Sequence, residues 1–135
     1  MITQFKNIDD FLSAYESGQR HFIGWDFEED CSLEGRDLQG VQFEDCFLFL
    51  NFRNADLRGV SFLDCNIKTA DFRGANLDNA TIRNCLVEST MFKGASTENF
   101  TFDHNHYHSA IVGQEQFEKH FRDSDAWDDR SNNRT

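Results

Sequence analysis

The stretch LNFRNADLRGVSFLDCNIKTADFRGANLDNATIRNCLVESTMFKGASTENFTF, residues 50–102, decides the fold. Taken in fives, it places an apolar residue at each centre: Phe52, Leu57, Phe62, Ile67, Phe72, Leu77, Ile82, Val87, Phe92 and Phe102, with Thr97 the exception. Two places before each centre stands a small or apolar residue, among them Ala55, Val60, Cys65, Ala70, Ala75, Ala80 and Cys85. A period of five matches neither the 3.6 of an α-helix nor the 2.0 of a strand. It fits a backbone that turns a corner every five residues and sends two side chains of each five inward. Four corners close a square coil of about twenty residues, and successive coils then stack at about 4.8 Å through backbone hydrogen bonds.

The remaining positions of each five agree. Gly59, Gly74 and Gly94, with Asn54, Asn79, Asn84 and Asn99, fall two places after centres, where a tight corner calls for positive φ. Asp56, Asn66, Asp71 and Asn76 fall one place before centres, where a short side chain can bond nearby backbone. The units ADLRG (55–59), ADFRG (70–74) and ANLDN (75–79) resemble the A(D/N)Lxx unit of the pentapeptide-repeat family, and the resemblance covers about residues 31–104. It implies an all-β fold, a right-handed quadrilateral β-helix. CLVES (85–89) and TMFKG (90–94) depart from the pattern, with an apolar residue before the centre.

Leu33, Leu38, Phe43 and Leu48 are also five apart, but only four residues separate Leu48 from Phe52. Counting that short step as one unit assigns four faces. The first stacks Leu33, Phe52, Phe72 and Phe92; the second Leu38, Leu57, Leu77 and Thr97; the third Phe43, Phe62, Ile82 and Phe102; the fourth Leu48, Ile67 and Val87. This gives about four coils, a rod of roughly 15–20 Å. The same count aligns Cys46, Cys65 and Cys85, read as buried thiols in the slot that Ala fills elsewhere. They lack the CxxC spacing of a zinc site.

The expected organisation is an N-terminal helix and cap over 1–30, the β-helix over 31–104, a C-terminal strand and helix cap over 105–127, and a disordered tail over 128–135. Asn7 caps a short amphipathic helix bearing Ile8, Phe11, Leu12 and Tyr15, with Gly18 ending it. Phe22, Trp25 and Phe27 lead into the coil as an irregular first turn, and Glu28, Glu29 and Asp30 form a solvated corner. Gln114 to Arg122 is helical, with Phe117 and Phe121 on one side and Glu115–Lys119 and Glu118–Arg122 pairs. A solenoid end exposes unpaired backbone and apolar side chains, which such helices can cover.

Fifteen Phe and no Pro among 135 residues suit stacked aromatic centres in a single domain. The net charge is −11, unevenly spread. Residues 1–48 carry eleven acids against three bases, residues 49–102 six of each, and residues 103–135 seven acids against four bases. Without a basic stripe, direct nucleic-acid binding is not expected. No run approaches the ~20 apolar residues of a membrane span. MITQFKNIDDFLSAY lacks the basic start and apolar run of a signal peptide, so a cytoplasmic location is expected.

A coil packed with Phe, Leu and Ala leaves no interior pocket, so neither enzyme activity nor a cofactor is expected. His104, His106 and His108 would share one side of an extended strand, an arrangement open to metal ligation, but no carboxylate stands at ligand spacing and no metal is assigned. The favoured function is a non-catalytic protein-binding scaffold of adaptor or immunity type, binding a protein partner or a second copy of the chain through a flat face. The alternative comes from the resemblance: some family members are acidic DNA mimics that bind a type II topoisomerase such as gyrase. The neutral repeat body and an outward column of Arg53, Arg73 and Lys93 weigh against it. Residues beside a centre face outward, so Phe47, Phe49, Leu86 and Met91 are the candidate protein-binding patch. A terminal segment folded over them is the competing reading.

Overall fold

The computed structural model describes residues 4–27 and 31–125; the run Glu28, Glu29 and Asp30 and the expected tail at 128–135 lie outside the described residues. It is a β-solenoid of about four coils, with two short helices. One face is an all-parallel ladder of β2 (His21–Ile23), β4 (Gln42–Glu44), β5 (Ser61–Leu63), β6 (Thr81–Arg83) and β7 (Thr101–Asp103), with β1 (Gln4–Lys6) and β3 (Trp25–Phe27) paired elsewhere. Phe22, Phe43, Phe62, Ile82 and Phe102 align along it, so the ladder reaches back to the irregular first turn. The other faces are held by single-residue bridges, such as Asn51 to Asp71 to Met91 on the first and Asp56 to Asn76 to Ser96 on the second. All four assigned stacks form, and the short step between Leu48 and Phe52 is real.

The centres fill the interior. Phe72 is fully buried between Phe52 and Phe92, with ring centroids 5.2 and 5.1 Å away and planes within 1° and 10° of parallel. Burying each such ring contributes roughly 1.5–3 kcal/mol. The corners carry the cost. Asn54, Asn79, Asn84 and Asn99 take φ near 60°, and so do Thr69 and Ser89, residue types less suited to it. Before the centres, Asn51, Asp56, Asn66, Asp71 and Asn76 each accept the backbone N–H two residues on, a local turn that fixes the corner's direction. The corner between Leu48 and Asn51 has no left-handed residue, and Phe49 occupies it.

Both ends are lidded. Helix α1 (Ile8–Glu16) starts with a capping box in which Asn7 accepts from the Asp10 N–H and Asp10 accepts from the Asn7 N–H. Its Phe11 is fully buried against Phe22, 4.8 Å away, with Trp25, Phe27 and Phe43 around it. At the other end the chain forms an antiparallel hairpin, β8 (Asn105–Tyr107) and β9 (Ala110–Val112), before helix α2 (Gln114–Gln116) and a π-helical turn, Phe117–Phe121. The expected helix therefore closes with a wider turn, from Arg122 N–H to Phe117 O. Phe117 lies about 5 Å from Phe92, Phe100 and Phe102, and the Glu115–Lys119 and Glu118–Arg122 pairs form on its outside. No helix among the described residues is long and apolar enough to cross a membrane.

Candidate protein-binding surface

The fourth face carries the surface of interest. Its outward column runs by consecutive bridges from Asp26 to Phe47, Asn66, Leu86 and His106, and the β8–β9 pairing sets Ile111 opposite His106. Behind it, Leu48, Ile67 and Val87 point inward and are fully buried. Alternation along each strand turns their neighbours outward. Phe47 is 37% exposed and Ile111 59%, while Leu86 is half-buried. Phe49, 47% exposed at the short corner, lies with its ring 6.3 Å from that of Phe47.

Met91 does not join them: it is only 7% exposed. It belongs to the first face, where the C-terminal segment returns alongside the last coil. Ser124 accepts from the Phe92 and Lys93 N–H groups at 3.1 and 2.8 Å, and its hydroxyl donates to the Thr90 carbonyl. Asp125 reaches Arg73 and Lys93 at 3.2 and 3.4 Å. A terminal segment thus flanks one part of the expected patch and leaves the Phe47–Phe49 part open. Ile111 escaped the sequence reading because the phase of five ends at Phe102 and gives no warning of a hairpin. The SAIV run after the histidines, short and β-prone, was the available signal.

Polar groups frame the face. Asp45 and Asp64, exposed corner residues with φ 55° and 57°, sit on adjacent coils beside Phe47 and Asn66. Neither has a side-chain partner among the described residues. They border a groove of about 510 Å³ walled by Phe47 and Leu86 and floored by Asn66. A second cleft, of about 310 Å³, lies between the Ser89–Thr90 corner and the C-terminal helix, with Tyr107, Val112 and Phe121 among its walls. The cationic column of the first face is neutralised: Asp71 bonds Arg73 at 2.7 Å and stands 3.5 Å from Arg53.

The other candidates resolve into structure. Cys46, Cys65 and Cys85 are buried, and each thiol donates to a carbonyl of the preceding coil, Phe22, Phe43 and Phe62 in turn. The hydrogen bond with the Cys65 thiol, together with burial, pushes the Cys46 thiol far above the usual range. The histidines do not share one strand: only His106 lies inside β8, while His104 and His108 turn its two corners at φ 50° and 57°. His108 donates its N–H to Glu88 at 2.6 Å, which fastens the hairpin.

The coil geometry agrees with a family model, pentapeptide repeat region, that matches residues 36–110. The chain belongs to the pentapeptide repeat family. Among solved structures, this pentapeptide repeat protein is similar to trypsin-treated forms of QnrB1, a plasmid-mediated fluoroquinolone resistance protein. One is 26% identical over 63% of this chain and 47% of that one, with a TM-score of 0.53. The other is 27% identical over 63% and 46%, with a TM-score of 0.55. The pentapeptide repeat protein thus spans about half the length of those QnrB1 chains. It shares its fold with alr5209, a pentapeptide repeat protein from Nostoc Pcc 7120, at 20% identity over 78% and 82% of the two chains and a TM-score of 0.56. No curated protein matches the sequence.

Proposed function

We propose that this protein is a non-catalytic protein-binding scaffold that uses the fourth face of its solenoid. The observation carrying this reading is the exposed pair Phe47 and Phe49 on a rigid ladder that also displays Leu86 and Ile111. Apolar side chains aligned on one face at coil spacing are what a partner can bury, whereas scattered ones are ordinary surface. Buried Leu48, Ile67 and Val87 hold the backbone beneath, so little ordering is required on binding.

A second reading, an acidic DNA mimic acting on a type II topoisomerase, draws support from the likeness to QnrB1. Against it stands the balanced charge of residues 49–102. The test is a Phe47→Ser, Phe49→Ser double substitution, followed by native pull-down and thermal melting. The scaffold reading expects one or more partners lost with the melt unchanged. Partners retained by the variant, or protection of gyrase from a quinolone that the variant keeps, would overturn it.

A further inference from the structure

We propose that the groove between Phe47 and Leu86 takes an apolar side chain from a basic segment of another protein, with an adjacent lysine or arginine seated on Asp45 and Asp64. This rests on the scaffold reading above and names the chemistry of the partner. Phe47 and Leu86 stand two coils apart on one column, about 10 Å at the inter-strand spacing, and the smaller Asn66 lies between them. The result is a notch running along the strands, with apolar side walls. Its volume is about 510 Å³, and it is broadly open to solvent.

The floor is polar in one respect only. The Asn66 Oδ1 accepts the Lys68 N–H, which leaves the side-chain NH₂ to donate toward an occupant's carbonyl.

The mouth sets the sign of the occupant. Asp45 and Asp64 occupy equivalent corners on neighbouring coils, about 4.8 Å apart along the axis. No described cation meets either of them, whereas Asp56 pairs with Arg58 and Asp71 with Arg73. Two like charges so close favour one cation between them. A second copy of this chain is disfavoured, since each copy carries −11 and would bring the same carboxylates to the contact. A nucleic acid is disfavoured for the same reason. A basic, partly apolar polypeptide satisfies both the walls and the mouth.

The test uses the full chain and a short fluorescein-labelled peptide alternating lysine with leucine, read by fluorescence anisotropy. Companion peptides alternate glutamate with leucine, and lysine with serine. The lysine–leucine peptide should bind roughly ten-fold tighter than either companion, because only it offers both features. Asp45→Asn with Asp64→Asn should weaken it by roughly ten-fold and flatten its salt dependence, and Asn tolerates the left-handed corner. Asp37→Asn with Glu98→Gln, the same charge change on the second face, should leave binding within about two-fold. Equal loss in both double variants would show overall charge attraction and overturn the proposal. A dimer in sedimentation velocity that dissociates on Phe47→Ser would give the notch to a second copy and overturn it too. If native partners depend on Phe47 and Phe49 but not on Asp45 and Asp64, the scaffold reading stands and this one falls.

Discussion

Asn105 and Cys85 are joined across the last coil by a hydrogen bond of 2.9 Å, from the Cys85 N–H to the Asn105 Oδ1. The amide also donates to the Ile82 carbonyl at 2.9 Å, and Asn105 is fully buried in the slot that thiols fill on lower coils. An asparagine there supplies hydrogen bonds where the square coil gives way to a hairpin. Asn105→Ala should therefore destabilise the protein by about 1–3 kcal/mol, the cost of unpartnered buried polar groups. Asn105→Leu, which refills the volume, should be no better. Denaturant melts showing wild-type stability for Asn105→Leu would mean that volume alone matters.

Neighbours in sequence should differ sharply where the solenoid turns one in and the other out. Phe72→Ala removes the middle of a three-ring stack and should cost about 3–5 kcal/mol. Arg73→Ala should cost about 1 kcal/mol, because the guanidinium is only partly exposed and serves both Asp71 and Asp125. The sequence alone, placing Arg73 wholly outside, would have put it nearer zero. Equal effects in urea melts would contradict the observed stacking.

Thiol chemistry should follow burial. Cys31, half-buried, should react first with a maleimide, while Cys46, Cys65 and Cys85 should label slowly until the chain unfolds. Mass spectrometry under timed labelling reads this directly. Rapid labelling of the buried column in the native state would show that the coils open on their own.

Strain is concentrated at Thr69, a β-branched residue with φ 65° at a corner that the next coil turns with Ser89 and that the other faces turn mostly with asparagine or glycine. Thr69→Asn should stabilise the protein by about 1 kcal/mol, since asparagine visits the left-handed region more readily. A lowered melting temperature would show that the threonine makes a compensating contact.

Most of the fold was legible because a single period governs most of the chain. Phe52, Phe72 and Phe92 are equivalent in sequence and therefore in space, and the corner asparagines and glycines confirm the phase. The phase is silent where it stops. Asn105 and His106 still fall twenty residues after Cys85 and Leu86, but residues 108–113 do not repeat, so the hairpin and the position of Ile111 depended on tertiary closure of the last coil. The patch was legible in part for the same reason. Outward phase located Phe47 and Phe49, but it gave no sign that the chain returns at Ser124, over thirty residues away in sequence, to bond Thr90 beside the buried Met91.

The corner that Phe49 occupies, one residue short, has a consequence for cutting and splicing whole coils. Above it, rung partners are twenty apart, as Ser61 and Thr81 are; across it, Gln42 and Ser61 are nineteen apart. Excising residues 61–80 would join Val60 to Thr81 and leave every later side chain on its proper side. Excising an equally long block, 42–61, would join Val41 to Phe62 and turn that phenylalanine, with the rest of its ladder, out into water. The same deletion length should thus give a shorter folded rod in one place and an insoluble chain in the other.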